Sequence, residues 1–118
     1  MEQTAQAEEQ LEHIEVSIAE AKLAIKDRDD LLSLMKDARF KRLIEERYFT
    51  EEPRRLVMLK TAGLREEQII RVDRLMYGVG ALDQFFRQII QNGNQMEQAL
   101  HDDQATREEI LEEQSKVN

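Results

Sequence analysis

The sequence predicts an all-α protein of four to five helices, and three observations indicate this fold class. Apolar residues recur at alternating spacings of three and four over long stretches, which is the period of a helix face. The 118 residues include one proline and four glycines, too few for the tight turns of an all-β fold. Charged residues make up 36% of the chain, so little apolar material remains for a thick core. We therefore expect a single helical domain over residues 1–118.

A long coiled-coil-like helix is predicted at the N-terminus, over about residues 1–36. Its apolar seam keeps a heptad spacing for about four heptads and is interrupted once, where Arg28 occupies an apolar position. A stripe this narrow does not stabilise a lone helix in water, so another helix must cover it. That helix belongs to the chain's second acidic arm, to a second copy or to a partner. The seam residues that we predict to make this protein contact are Leu11, Ile14, Ile18, Ile25 and Leu32.

Compact central helices are predicted over residues 37–93. Asp37 is suited to cap a helix that follows it. The segment Thr50-Glu51-Glu52-Pro53 is typical of a helix start, with a hydroxyl cap, acidic residues and a proline in the first turn. The helix that begins there is expected to end near residue 61, with Gly63 as a left-handed cap.

The segment 65–92 is the most apolar of the chain and predicts a central helix with a broad apolar face. Gly78 and Gly80 interrupt the pattern, which indicates either a bend or the close approach of a neighbouring backbone. Asn92-Gly93-Asn94 is the clearest turn pattern of the chain and predicts a break. An acidic C-terminal helix is then expected over residues 94–118.

Charge divides the chain into three blocks. Residues 1–35 carry nine acids and three bases, residues 36–74 carry eleven bases and eight acids, and residues 75–118 carry eight acids and three bases. Two acidic arms thus flank a mildly basic middle, and the net charge is −8. This balance disfavours a phosphate backbone as partner and favours basic proteins.

No residue pattern indicates catalysis, a metal or a cofactor, and we predict a non-enzymatic protein without either. The chain has no cysteine, which excludes disulfides and zinc–thiolate sites. Glu9 and His13 share a helix face, as do Glu97 and His101, but their spacing of four differs from the Glu-x-x-His of di-iron bundles. The glycines of residues 77–80 lack the preceding strand and the third glycine of a phosphate-binding loop.

The sequence also bears on location. No apolar run approaches the roughly 20 residues of a membrane span. The first residues lack the basic and apolar regions of a signal peptide. We therefore expect a soluble protein that stays in the cytoplasm and has no membrane partner.

Three stretches of the chain are similar to a known group of proteins. They are Lys36–Ile44 with its continuation through Tyr48-Phe49, Glu51-Glu52 and Arg55–Val57, then Gly80–Arg87, and finally Ala105–Glu113. Over about residues 36–113 the chain resembles small uncharacterised helical proteins of tailed bacteriophages, including phages of cyanobacteria, whose genes tend to lie among virion genes. The resemblance implies a structural or capsid-assembly role with no catalytic residues. It further implies a location in the host cytoplasm during assembly or in the virion, with phage head proteins or a second copy as partners.

Two other classes of function stay open. One is an acidic regulatory or adaptor protein that binds a basic protein, in a complex that weakens steeply with salt. The other is a nucleic-acid-binding protein, which acids interleaved with the bases and the absence of an aromatic stacking platform disfavour. The cations that would form its basic contact patch are Arg39, Arg42, Arg54 and Arg55.

Overall fold

Three helices account for almost the whole chain. The computed structural model describes residues 2–117, of which 94% are helical and none lies in a strand. Helix α1 is Glu2–Met35, and helix α3 is Glu66–Val117. Between them, helix α2 runs without a break through three stretches, Ala38–Phe40, Lys41–Glu51 and Glu52–Lys60.

The all-α fold class and the long N-terminal helix are confirmed, but the predicted number of four to five helices is wrong. Both additional boundaries that the sequence suggested, at Thr50–Pro53 and at Asn92–Asn94, lie inside continuous helices. None of the three helices, within the described residues, combines the length and the apolar character that a membrane span requires.

The ends of the helices around α2 follow the predicted local chemistry. Asp37 has an extended backbone (φ −68°, ψ 132°), and its carboxylate accepts a hydrogen bond from the backbone N–H of Arg39 at 2.8 Å. This is the geometry of a helix N-cap. After the end of α2, Gly63 has a φ of +79°, in the left-handed region that glycine adopts most readily. Both cap predictions are confirmed.

The predicted helix start before Pro53 is instead a change of helix type. The stretch Lys41–Glu51 is a π-helix, and the backbone N–H of Glu52 donates to the carbonyl of Arg47, five residues back. Regular α-helix follows from Glu52, with Pro53 in its first turn. Proline has no N–H to donate, and its ring crowds the carbonyl four residues earlier in an α-helix. A wider turn immediately before Pro53 accommodates both properties without ending α2.

The chain divides into two compact units, which we call the arm unit and the middle unit. The arm unit consists of residues 2–29 of α1 and residues 90–117 of α3. The middle unit is Asp30–Ile89 and includes all of α2. The acidic and basic side chains separate accordingly, because the arm unit has fifteen acids and five bases whereas the middle unit has ten acids and twelve bases.

The core of the middle unit is small and partly aromatic. Leu56 is completely buried, and Leu31, Val72 and Val79 are at least 93% buried. The ring of Phe86 has its centroid 5.8 Å from that of Phe40 and 6.0 Å from that of Phe49. Burial of a side chain such as Leu56 stabilises by roughly 1.5–3 kcal/mol, and each aromatic pair adds about 0.5–1.5 kcal/mol.

Candidate functional site

The predicted apolar seam of α1 is covered by the chain's own second arm. Only α1 and α3 are present in the arm unit, and between them Ile18 is 8% exposed and Ala21 is 1% exposed. Leu11, Ile14 and Ile25 are half-buried on the same face. Four of the five predicted contact residues thus lie in a helix pair within one molecule.

Leu32, the fifth predicted contact residue, is not in the arm pair. It belongs to the middle unit and is 39% exposed, whereas its neighbour Leu31 is 7% exposed. A strict heptad count places Leu32 on the buried face after Arg28, but the residue that is buried there is Leu31, one position earlier.

Polar contacts establish that the two arms run antiparallel. The hydroxyl of Ser17 donates to a carboxylate oxygen of Asp103 at 2.7 Å, and Arg107 lies 3.6 Å from the carboxylate of Glu15. From the first contact to the second, the residue number falls on α1, from 17 to 15, and rises on α3, from 103 to 107. The two helices therefore run in opposite directions. The two arms thus pair although both are acidic. The buried apolar seam and these polar contacts offset the repulsion between their charges.

Arg28, which interrupts the apolar pattern, makes the densest polar cluster of the arm unit. Its side chain is 10% exposed. The guanidinium donates to Asn94 Oδ1 at 2.9 Å, to Glu97 Oε2 at 2.9 Å and to Asp29 Oδ1 at 3.1 Å. A buried cation is tolerated only where hydrogen bonds and opposite charge replace water, and these three partners supply both.

Gly93 makes room for Arg28. A Cβ atom built on Gly93 would lie 2.8 Å from Cδ and 3.0 Å from Cγ of Arg28, closer than nonbonded carbons can approach. The glycine therefore permits a close crossing of two helices and does not form a turn. The turn predicted at Asn92–Asn94 is wrong because a close approach and a turn both select glycine.

The charge pairing shifts the ionisation of both partners. The hydrogen bonds that the Arg28 guanidinium donates to Glu97 and then to Asp29 raise the pKa of Arg28 above its ordinary value. Conversely, the hydrogen bond from Arg28 holds the pKa of the Glu97 carboxyl below its ordinary range. The pair is therefore ionised at neutral pH.

The outer face of α1 in the arm unit combines apolar and acidic side chains. Val16 and Leu23, which are 51% and 62% exposed, each lie two residues from a buried seam residue, about 200° around the helix. Exposed carboxylates flank them, and within residues 2–117 none of these carboxylates is in an ion pair; they are Glu9, Glu12, Glu20 and Asp27.

The two histidines do not meet in the arm pair. Because Ser17 contacts Asp103, His101 lies opposite about residue 19 of α1, six residues or about 9 Å along the helix from His13. In the part of the chain that the structure describes, no three His, Cys, Asp or Glu side chains form a group that could hold a metal ion.

The predicted basic patch is divided between paired and unpaired cations. Arg39 pairs with Asp37 at 2.9 Å, and Arg55 pairs with Glu52. Both carboxyl pKa values are lowered by their arginines, that of Asp37 to about 2. Arg42 and Arg54 are exposed, and no carboxylate among the described residues is within ion-pair distance of either. Two of the four predicted cations thus already have intramolecular partners.

Exposed apolar side chains are concentrated on the middle unit. Of the thirteen large apolar residues that are exposed in the described chain, ten belong to Asp30–Ile89. The most exposed is Tyr77, at 79%. The ten residues are Leu32, Leu34, Leu43, Val57, Met58, Leu59, Ile70, Leu75, Tyr77 and Phe85.

One part of this surface carries no charge at all. Every exposed residue between positions 75 and 86 of α3 is uncharged, in a chain with 36% charged residues. The one charged residue of the segment, Asp83, is half-buried and accepts a hydrogen bond from Arg87 at 2.9 Å. We call this surface the uncharged strip; it consists of Leu75, Tyr77, Gly78, Gly80, Ala81, Gln84 and Phe85.

Sequence reasoning missed both the Arg28 cluster and the uncharged strip. Arg28 in an apolar heptad position indicated that the arginine would have polar partners. Its contact with Gly93 could not be predicted, because it depends on the register in which the two arms pair. The strip could have been recognised as a gap in the charge pattern of the segment Leu75–Phe86. Which of its residues are exposed, however, follows only from the fold.

No family model, no characterised protein and no solved structure matches this chain.

Proposed function

We propose that this chain is a non-enzymatic structural or capsid-assembly protein of a tailed bacteriophage, and that it acts through helix–helix protein contacts. The observation that carries the proposal is the concentration of exposed apolar side chains on the helices of the middle unit. The phage setting rests on the resemblance over residues 36–113, a range that includes nearly all of this unit.

The energetic reason for contact is the uncovered apolar area. Covering one fully exposed Leu, Ile or Phe side chain is worth roughly 1.5–3 kcal/mol. Single exposed apolar residues are ordinary on any protein, but a large apolar patch is typical of a protein–protein contact. Ten such residues within sixty positions therefore favour a protein that works in an assembly.

Removal of the coding sequence from the phage genome tests the function. We expect fewer infectious particles and head precursors of altered sedimentation, with recovery when the wild-type chain is supplied in trans. Fractionated heads should contain the chain at a constant ratio to the major head protein at some stage of assembly. Normal yield and normal heads without the chain would contradict the proposal.

A second candidate is an acidic adaptor that binds a basic protein helix. The favouring observation is the outer face of α1, where Val16 and Leu23 stand among exposed carboxylates. Its test is fluorescence anisotropy with a synthetic basic amphipathic helix at low and at high salt. We expect binding that weakens as the Debye length falls from about 10 Å at 0.1 M salt and that Leu23→Lys abolishes. Absence of binding at low salt contradicts this candidate.

A further inference from the structure

The net charge of the arm unit lies entirely in one half of it. The antiparallel register pairs residues 2–20 of α1 with residues 102–117 of α3, and we call this part the outer half. The inner half pairs residues 21–29 with residues 90–101. The outer half has twelve acids and two bases, whereas the inner half has three of each. Repulsion between the two arms therefore acts almost entirely in the outer half.

Burial follows the same division. Within residues 4–20 and 102–116, Ile18 is the only buried residue of the outer half. The half-buried apolar residues of the outer seam are Ala7, Leu11, Ile14 and Ile110. The inner half has fewer residues but three buried ones, which are Ala21, Arg28 and Gly93. A half-buried side chain gains only part of the stabilisation of full burial, so the attraction is weakest where the repulsion is strongest.

Polar contacts between the arms are also weaker in the outer half. The hydroxyl of Ser17 donates to Asp103 at 2.7 Å. The guanidinium of Arg107 lies 3.6 Å from the carboxylate of Glu15, and the two side chains are 47% and 60% exposed. An exposed ion pair of this kind contributes little to stability. In the inner half, by contrast, the buried Arg28 joins α1 to α3 through several hydrogen bonds.

We propose that the outer half is a salt-controlled conformational switch, which opens at low ionic strength while the inner half stays paired, and which closes when cations screen its carboxylates. This inference goes beyond the proposed function and does not rest on it. The repulsion between like charges extends over the Debye length, which is about 30 Å at 0.01 M salt and about 3 Å at 1 M. At low salt, carboxylates along the whole outer half thus repel those of the other arm, and local opening relieves this repulsion.

Opening changes the helices as well as their pairing. A single helix of this length is marginal in water, and like charges four residues apart destabilise it further. Three such pairs lie in the outer half, namely Glu8 and Glu12, Glu108 and Glu112, and Glu109 and Glu113. The two segments therefore lose helical structure once they separate. The apolar seam of the outer half then becomes accessible, so ionic strength decides whether the chain presents it.

Hydrogen exchange at about 0.01 M and about 1 M sodium chloride tests the proposal at the level of single amides. We expect protection in the outer half to rise at least about tenfold over this range, whereas the inner half and the middle unit change far less. Choline chloride should act as sodium chloride does, because screening depends on ionic strength and not on the cation. An outer half that does not respond to salt overturns the proposal, as does an equal response in all three regions. A response to sodium but not to choline would indicate a bound cation and overturn screening as the cause.

Distances between pairs of spin labels distinguish separation of the arms from fraying of one helix. The natural chain has no cysteine, and labels can replace uncharged, exposed residues. Gln6→Cys with Ser115→Cys reports on the outer half, and Leu23→Cys with Gln98→Cys on the inner half. The outer pair should show long, broadly distributed distances at low salt and one short distance at high salt, while the inner pair stays short. An outer pair that stays short at low salt, or an inner pair that separates with it, contradicts the proposal.

Charge substitutions complete the test. Three exposed carboxylates of the outer half are removed together in a variant with Glu8→Gln, Glu9→Gln and Glu12→Gln. Glutamine has nearly the same helix propensity as glutamate, so we expect this variant to be closed at low salt and to lose most of its salt response. The matched control removes the same charge from exposed positions of the middle unit, with Glu46→Gln, Glu51→Gln and Glu67→Gln. It should leave the salt response of the outer half unchanged. Equal effects of the two variants, or no effect of the first, would overturn the proposal.

Discussion

Arg28 of α1 crosses α3 directly over Gly93. The space that a Cβ atom at position 93 would need is taken by Cγ and Cδ of Arg28, at 3.0 and 2.8 Å. The guanidinium reaches Asn94 and Glu97 at 2.9 Å each only because the backbone of α3 is bare at this point. An arginine and a glycine that each look unfavourable in a helix pair thus form one complementary contact.

Gly93→Ala should destabilise the arm unit. Alanine in a helix interior is favoured over glycine by about 1 kcal/mol, but the added methyl group must displace Arg28 and push the helices apart. Overpacking of this kind costs typically 1–3 kcal/mol, and the hydrogen bonds of Arg28 are strained besides. We expect a net loss on the order of 1 kcal/mol in the free energy of unfolding, measured by urea denaturation.

Gly80→Ala is the matched control for that measurement. It makes the same chemical change in the same helix, at a position whose Cβ atom would have nothing within 4 Å. It should stabilise by up to about 1 kcal/mol. Equal effects of the two substitutions would show that Arg28 does not occupy the site above Gly93.

The Arg28–Glu97 pair should behave asymmetrically under mutation. Glu97→Ala leaves a buried guanidinium without its main carboxylate and should lower the urea midpoint clearly. Arg28→Met removes the buried charge and fills the seam with an apolar side chain of similar length, so the midpoint should stay the same or rise. The physical reason is that the Arg28 guanidinium is buried whereas its carboxylate partners are more than half exposed. Removal of a carboxylate leaves a buried cation without its partner, but removal of the cation leaves no buried charge. A large loss with Arg28→Met and none with Glu97→Ala would contradict this account.

Stability should fall in acid, partly through Asp37. The hydrogen bonds from Arg39 hold the pKa of the Asp37 carboxyl at about 2, below the ordinary 3.8. Because the folded state prefers the ionised carboxyl, its contribution is full above about pH 4 and is lost as the pH falls towards 2. Glu52 and Glu97 act in the same direction, since arginines lower their pKa values too.

Thermal unfolding followed by circular dichroism between pH 7 and pH 2 measures this effect. Asp37→Asn keeps a good capping side chain but removes the titrating group, so its melting temperature should fall less below pH 4 than that of the wild type. The difference between the two curves isolates Asp37 from the other carboxyl groups. Parallel curves would show that Asp37 does not contribute to the acid response.

The features that the sequence predicted well are those that one helix determines by itself. The heptad spacing of α1 requires only an apolar residue at every third or fourth position, and the cap at Asp37 requires only its own side chain and the next turn. The left-handed Gly63 is equally local. For these residues, the chemistry of a short segment is sufficient to set the conformation.

The features that were predicted wrongly depend on a second segment. Gly93 allows the two helices to cross closely. In a sequence, however, a glycine indicates a turn equally well, and the neighbouring helix is needed to decide between the two. Pro53 follows a hydroxyl and two acids, yet the preceding π-helical turn lets α2 continue through it. The uncharged strip also depends on the fold, because burial decides which of residues 75–86 face solvent.

Ile18→Asp should open the pair of helices in the arm unit. Ile18 is 8% exposed between α1 and α3, so an aspartate there loses the apolar contact and brings a charge into a seam already flanked by acids. We expect a loss of about 3 kcal/mol or more in the free energy of unfolding. Hydrogen exchange should increase over residues 2–29 and 90–117, while the amides around the fully buried Leu56 stay protected. Val16→Asp, two residues away at a position that is 51% exposed, makes the same kind of change outside the seam and should cost about 1 kcal/mol or less. If the two variants lose protection equally, the covering of the first helix by the last is not what holds the arms together.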